Sequence, residues 1–591
     1  MIKSEMKMRN GAPVLVVDGK PVSPCAYMTY FDERNDYSRF AEASFRVFSV
    51  SLSLSSQPIN TASGFMPYAG GVFDTNAHPD FSFADDPVRR LLAACPDALI
   101  FPRLYVCMPE AWIEKNSADT VPVPHAKRRE SLYSDRFRAD ASAMLRTLIS
   151  HMEEAPYADH IIGYQISGGN TQEWFHLDLN ASTSPDALPF FNRWRARRHL
   201  PPVEALPSLS PLADDGMIGD GVLTDYLRFA SEEVAVTVET LCKTAKETVG
   251  GRKIVGVFYG YTAEVTDPLW GTHALAALLD SPYIDFFSAP NSYMDGRALG
   301  GDWPDMQPTA SIRRHGKVCF IECDVRTFLT RSPDESRPGS DPLHYYTQKV
   351  WAGPPTQELS VWAIRKSLAA QLVRGHGLWW FDMFGHWYAS EALMAEMRRS
   401  LALFDRRGSG SPAVFPVQTA VFLDETVYAR VGKKHPAANA PYCLRKTLGY
   451  CGVPYDMVLL SDADVSEEKD CPYKAVIFNL TYEDETVERL TAHLRARGAA
   501  VLRITESVPD VDELRAFLAA AGVFLYGESG EVTYVGNGFA AVHAAHEGEK
   551  VLRFPRAVRL TDAETGEETV GEIFRFSCKQ YETRLFLAEE A

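Results

Sequence analysis

Long apolar runs are absent from this 591-residue chain: no uninterrupted stretch is long enough to cross a bilayer. No apolar leader follows the charged Lys3, Glu5, Lys7 and Arg9, so neither a signal peptide nor a membrane partner is expected. Basic charge is in deficit. The 60 Lys and Arg face 77 Asp and Glu, a net charge of −17 spread without an acidic tail. Nucleic acid and anionic membranes need a basic footprint and are excluded as the main partner. Clustered cysteine is missing too, since of ten cysteines only Cys319 and Cys323 lie close together. Scattered cysteines in apolar surroundings read as buried thiols, which predicts a reducing, cytoplasmic location rather than disulfides. There are no internal repeats and no low-complexity segments.

What is present is an ordinary globular composition, 46% hydrophobic and 23% charged, on a chain too long for one core. Its first 410 residues alternate short β-rich runs with longer amphipathic stretches. The runs are Ala26–Phe31, Phe45–Leu52, Leu99–Val106, Ile161–Ser167, Ile254–Gly260, Ile284–Ser288, Val318–Cys323 and Leu378–Asp382. Several are apolar on nearly every residue, as strands buried on both faces are. Helical spacing recurs between them at Ala139–Glu153, Leu223–Val249 and Glu358–Arg374. Eight βα units predict an α/β fold of the closed (β/α)8 (TIM) barrel type over residues 1–410. A doubly wound open sheet would place a Gly-rich phosphate turn after its first strand, and none is there. The small, polar segment Gly408–Pro412 marks a boundary. A second βα series (Thr419–Leu423, a helix near Leu444–Cys451, Ala475–Phe478, Glu485–Arg497, Ala500–Ile504) predicts a small α/β domain over 411–525. Short runs at Glu531–Val535, Ala540–His543, Lys550–Phe554 and Thr583–Ala588 predict an antiparallel β domain over 526–591.

Barrels of this kind carry their chemistry at the carboxyl ends of the strands. Two glutamates stand there. Glu173 follows a Gly-rich bend after the fourth strand and is flanked by Trp174, and Glu322 interrupts the apolar end of the seventh. Glycoside hydrolysis needs such a pair, with carboxyls about 5–5.5 Å apart in retaining enzymes. A dry neighbour such as Trp174 would raise the acid's pKa, and Arg326 is the cation placed to keep the nucleophile ionised. Two bland readings fit as well: Glu173 as a solvated loop residue, and Glu322 as half of an ion pair with Arg326. Asp324 is the rival nucleophile, sharing a face with Glu322 if the strand continues. Arg103, Asn291 and Asp382 are hydroxyl-binding candidates, and Tyr293, Trp379, Trp380 and Trp387 are aromatic ones. Trp379 and Trp380 are adjacent on a strand, so at most one faces the barrel axis. His176, His315, His376 and His386 have no zinc-ligand spacing, and neither metal nor cofactor is expected.

These features resemble the glycoside hydrolase family 42 β-galactosidases and their clan of retaining barrel glycosidases. The resemblance is carried by Pro102–Trp112, the Ile162-Gly-Tyr-Gln segment, the Glu322 strand and the Gly-rich eighth strand, Gly375–Asp382. It implies that Glu173 is the acid/base and Glu322 the nucleophile. It also implies an oligosaccharide or glycoside substrate ending in β-galactose, a glutamine-amidotransferase-like second domain used for trimerisation, and a homotrimer. The sequence departs from the clan in one place: the Asn usual before the acid/base is Gln172, and the nearest is Asn170, taken here as the sugar-binding Asn. Manno and gluco/galacto configurations therefore both stay open. Cys107 stands alone, without the zinc cluster some relatives have, and Cys443, Cys451 and Cys471 lie in no nucleophile turn. From another class, a carbohydrate-binding scaffold without catalysis is the alternative.

Overall fold

Strands that are apolar on every residue need cover on both faces, and here a closed ring supplies it. The computed structural model describes the chain except residues 1, 10–11, 76–77, 125, 177–183, 294–296, 408–410, 468–470, 480–483 and 506. Part of the expected boundary at Gly408–Pro412 thus lies outside the described residues. Eight parallel strands pair in sequence order: Cys25–Met28, the second strand in two pieces (Val47–Phe48 and Ser51–Ser53), the third likewise (Leu99–Ile100 and Arg103–Val106), Gly163–Gly168, Ile254–Val257, Phe286–Pro290, Val318–Cys323 and Gly377–Phe381. The eighth pairs back onto the first, Leu378 opposite Cys25, so the sheet closes. The (β/α)8 barrel read from the sequence is the fold observed. The third strand breaks at Pro102, which has no N–H for the ladder, and the Ser49 hydroxyl bridges the gap to Phe101 O at 2.8 Å.

Helices pack outside the ring, and their ends are written locally. Ser134 caps Asp135–Glu154 by accepting from Phe137 N at 3.0 Å, and Thr356 caps Gln357–Arg374 in the same way. Gly375 ends the latter helix at φ +74°. None of the described helices is long and apolar enough to cross a membrane.

The strand period of two decides what fills the barrel. Phe101, Phe286, Phe320 and Trp379 face inward and pack mostly edge-to-face into an aromatic floor, with centroids 5.2–6.5 Å apart. Two residues further along the same strands come Arg103, Ser288, Glu322 and Phe381. A polar layer therefore sits on an aromatic one, at the carboxyl end of the barrel.

Three features escaped the sequence reading. Ser4–Arg9, Ala12–Val17 and Lys20–Pro21 form a small antiparallel sheet. Its Ser4 bonds Ile162 O and accepts from Ile254 N, closing the amino end of the fourth and fifth strands. The second sheet has a fourth parallel strand, Asp456–Leu459, giving the order Asp456–Leu459, Thr419–Leu423, Ala475–Phe478, Ala500–Arg503, with an apolar cluster on each face. In the five-stranded antiparallel tail, the run expected at Lys550–Phe554 extends over Gly548–Asp562 and pairs with an unpredicted strand, Glu568–Cys578. Its register shifts between Arg553 and Val558, and this irregularity absorbs Pro555. All ten cysteines are unpaired thiols.

Candidate active site

Glu322 is buried on the inward face of the seventh strand, above the aromatic floor. Its Oε2 accepts from Arg103 Nη2 at 2.5 Å and from Trp379 Nε1 at 3.1 Å. Arg103 is buried too, and its Nε donates to Gln165 Oε1 at 2.9 Å while Gln165 Nε2 donates to Ser288 Oγ at 2.9 Å. The rings of Phe258 and Trp379 lie 5.0 and 5.2 Å from the guanidinium carbon. The cation is thus fixed in position and poorly solvated, which strengthens its hold on the carboxylate. Burial raises the Glu322 carboxyl above its ordinary value, and the Arg103 charge and hydrogen bond pull it back.

Glu173 arrives by a different route. The chain leaves the fourth strand through Gly168 and Gly169 and then holds Thr171, Gln172 and Trp174 at φ +56°, +68° and +62°. Left-handed backbone costs L-residues about 1–2 kcal/mol each, so the turn persists only because its surroundings over-determine it. Trp174 N bonds Gly168 O at 2.9 Å, Asn170 N bonds Phe175 O at 3.0 Å, and Thr171 N bonds Ile59 O. Both glycines are required. A Cβ on Gly168 would stand 2.6 Å from the Trp174 ring, and one on Gly169, at φ +66°, 2.4 Å from Phe175 O.

The turn delivers a buried Glu173 carboxyl whose Oε1 accepts from Tyr261 OH at 2.6 Å and whose Oε2 is bonded by the Thr171 hydroxyl. Burial pushes the Glu173 carboxyl up to about 8, against the two hydrogen bonds that lower it and with help from the Glu322 charge. One buried carboxyl is therefore pushed towards its neutral form, while the other is paired with a guanidinium.

The other expected residues divide. Tyr293 stays at the site: its OH donates to Asp324 Oδ2 at 3.4 Å, and Glu173 and Glu322 both act on it electrostatically. Arg103 is there as well, but as the partner of Glu322. Arg326 was expected in that part and does not have it. The strand ends at Cys323, and Arg326 Nη1 instead donates to Asp324 Oδ2 at 2.7 Å beneath the Trp351 ring. Asp324, the rival nucleophile, is held by both Arg326 and Arg297, the latter at 3.0 Å, and burial raises it to about 7.

Trp380 faces outward, its Nε1 bonded to Ser400 Oγ at 3.2 Å, and the tryptophan at the axis is Trp379. Asn291 also points outward, to Ser367 and Gln371 on the covering helix. The Asp382 carboxylate is taken up by Tyr27 OH and the backbone N–H groups of His386 and Trp387. Asn170 Oδ1 accepts from Thr61 N at 2.8 Å, so this side chain anchors the turn. Gln172 bonds Tyr68 OH, which in turn contacts Ser51 Oγ at 2.8 Å.

Tyr261, Thr171 and Gln165 were missed. Tyr261 follows the fifth strand, the same strand-end signal that picked out Tyr293. The partnership of Arg103 with Glu322 crosses the barrel and leaves no local trace.

No family model matches this sequence, and no curated protein matches it. Among solved structures the chain is similar to a catalytic mutant of a GH42 β-galactosidase from G. stearothermophilus (12% identity, 96% of this chain and 98% of that one, TM-score 0.62). It is similar also to a β-galactosidase from Bacillus circulans sp. alkalophilus (12% identity, 96% and 98%, TM-score 0.60). A third is an α-L-fucosidase from Paenibacillus thiaminolyticus (9% identity, 96% and 100%, TM-score 0.54). At these identities the likeness is one of fold.

Proposed function

We propose that this protein is a retaining β-glycosidase in which Glu322 is the nucleophile and Glu173 the acid/base. The observation that carries the reading is the unequal treatment of two buried carboxyls at one barrel mouth. Glu322 is gripped by a guanidinium and an indole N–H, whereas Glu173 is bonded only by hydroxyls and pushed up to about 8. Environments that push two carboxyls apart assign the acid and the base.

In the first step Glu322 Oε attacks the anomeric carbon. The bond from that carbon to the leaving oxygen breaks, and Glu173 gives the oxygen its proton. In the second step Glu173 takes a proton from water, the water oxygen bonds the anomeric carbon, and Glu322 leaves. Thr171 serves both forms of Glu173. Its hydroxyl donates to the ionised carboxylate, or turns to Asn170 O, 2.7 Å away, when the neutral acid donates to it.

The sugar we assign is a terminal β-galactose of a small oligosaccharide, since several fold neighbours are β-galactosidases. The β-mannoside is the next choice, because Gln172 stands before Glu173 where the clan has Asn. We further take residues 1–410 as the catalytic unit, 411–525 and 526–591 as accessory domains, a homotrimer as the assembly and the cytoplasm as the location.

Turnover of a panel of aryl β-glycosides by wild type, Glu322→Gln and Glu173→Ala tests the reading. The expected result is activity on one sugar, lost in Glu322→Gln, with azide rescuing Glu173→Ala as a β-glycosyl azide. Binding of sugar with no turnover by wild type would replace it with a carbohydrate-binding role.

A further inference from the structure

Arg445 belongs to the helix Pro436–Gly449 of the second α/β unit, yet its guanidinium is buried against the barrel. Nη1 donates to Asp305 O at 2.7 Å, and Nη2 donates to Ala263 O at 2.6 Å and to Glu264 Oε2 at 2.8 Å. Ala263 and Glu264 lie in the turn that follows the fifth barrel strand. That turn is closed on Tyr261, whose carbonyl accepts from Glu264 N at 3.0 Å and Val265 N at 3.1 Å. Tyr261 is the residue whose hydroxyl holds Glu173.

Glu264 reaches the other side of the site as well. Its carboxylate accepts from Ser292 Oγ at 3.0 Å and from Tyr293 N at 2.9 Å. Tyr293 in turn bonds Asp324, two residues past Glu322. One guanidinium from outside the barrel therefore pins the two turns that bring tyrosine hydroxyls to the carboxyl cluster. Arg297, whose charge Glu264 supports, pairs with Asp324 at 3.0 Å, so buried charges alternate in sign from Arg445 to the catalytic end of the barrel. Without Arg445, the Glu264 carboxylate loses its salt-bridge partner, and any move it makes disturbs Ser292 and Tyr293. A lysine keeps the charge but not the planar fork that spans three acceptors.

We infer that Arg445 is a positioning residue for the catalytic pair: through Ala263 and Glu264 it sets Tyr261 against Glu173 and Tyr293 against Asp324, making the second α/β unit part of the active-site scaffold. The inference rests on the glycosidase reading for its kinetic readout.

The test compares Arg445→Met and Arg445→Lys with Arg313→Met. Arg313 also crosses from the barrel to the second sheet, bonding Asp456 Oδ1 at 2.8 Å, but it touches neither turn. Arg445→Met is expected to lose about 10- to 100-fold in kcat with KM held within about threefold. The loss should be greater for poor leaving groups, Arg445→Lys should fall between, and Arg313→Met should keep wild-type kcat. Tyr261→Phe combined with Arg445→Met should lose no more than the worse single variant. Hydrogen exchange should deprotect residues 258–265 in the Arg445 variants and not in Arg313→Met. An unchanged kcat in either folded Arg445 variant, an equal loss in Arg313→Met, or full additivity with Tyr261→Phe overturns the inference. If wild type turns over no glycoside, the functional reading falls by itself. Exchange at 258–265 then decides the inference: altered protection upholds the link, and unaltered protection overturns it.

Discussion

Replacing Glu173 by Gln should make the protein more stable, and increasingly so as pH rises. The folded state holds this carboxyl at about 8 because it is buried, whereas the unfolded chain returns it to its ordinary 4.5. Between those values the folded state binds a proton that the unfolded state has released, so stability is lost as pH rises through this window. Below pH 4.5 both states are protonated and the penalty is absent. Each pH unit is worth about 1.4 kcal/mol, which puts the wild-type penalty at about 3 kcal/mol at pH 7 and its ceiling at about 5 kcal/mol. Gln keeps the shape and carries no charge, and its Oε1 still accepts from Tyr261. Its amide donates to the Thr171 hydroxyl, which turns to Asn170 O. Urea midpoints of wild type and Glu173→Gln, measured from pH 4.5 to 8.5, should coincide at the acid end and separate steadily above it, with the variant ahead. A separation that is constant in pH, or one that favours wild type at pH 8, would refute the reasoning.

Other perturbations follow the same contacts. Arg103→Met leaves Glu322 with Trp379 alone, and losing an opposite charge raises a carboxyl by about 1–3 units. The acid limb of kcat/KM should move up in pH by that amount, and a broken buried pair should cost about 3–5 kcal/mol in denaturation. Tyr261→Phe removes a hydrogen bond that lowers Glu173, so the basic limb should move to higher pH while kcat falls by about 100-fold, read from pH–rate profiles. Trp379→Phe should reduce kcat by removing the N–H on Glu322. Trp380→Phe should keep kcat and lose about 1 kcal/mol of stability with the Ser400 bond.

The barrel was legible because its strands are apolar on both faces, so that Val318–Cys323 stands out with the bounds it has in the structure. Glu322 was legible for the same reason, as a carboxylate interrupting such a run. Its cation was not. Arg326 is near in sequence, but the strand ends at Cys323 and the chain turns Arg326 onto Asp324. Arg103 comes from across the barrel. The period of two limited Trp379 and Trp380 to one inward residue without saying which. Register decides it, pairing Trp379 with Glu322. Asn291 and Asp382 fell on the outward parity of their strands, where they bond a covering helix and a loop. Asn170 stands three residues before Glu173, and the left-handed turn between them brings its Oδ1 to Thr61 N, a contact the sequence does not show. In the tail, Pro555 read as a strand end, and the bulge around it kept one strand whole.

In the proposed mechanism Glu322 becomes covalently bonded to the sugar. Incubation with a 2-deoxy-2-fluoro aryl β-glycoside of the preferred sugar, followed by proteolysis and mass spectrometry, tests it most directly. The expected result is one fluoroglycosyl adduct per chain, on the peptide containing Val318–Cys323 and localised to Glu322. An adduct on Asp324 or Glu173, or turnover with inversion and no adduct, would contradict it.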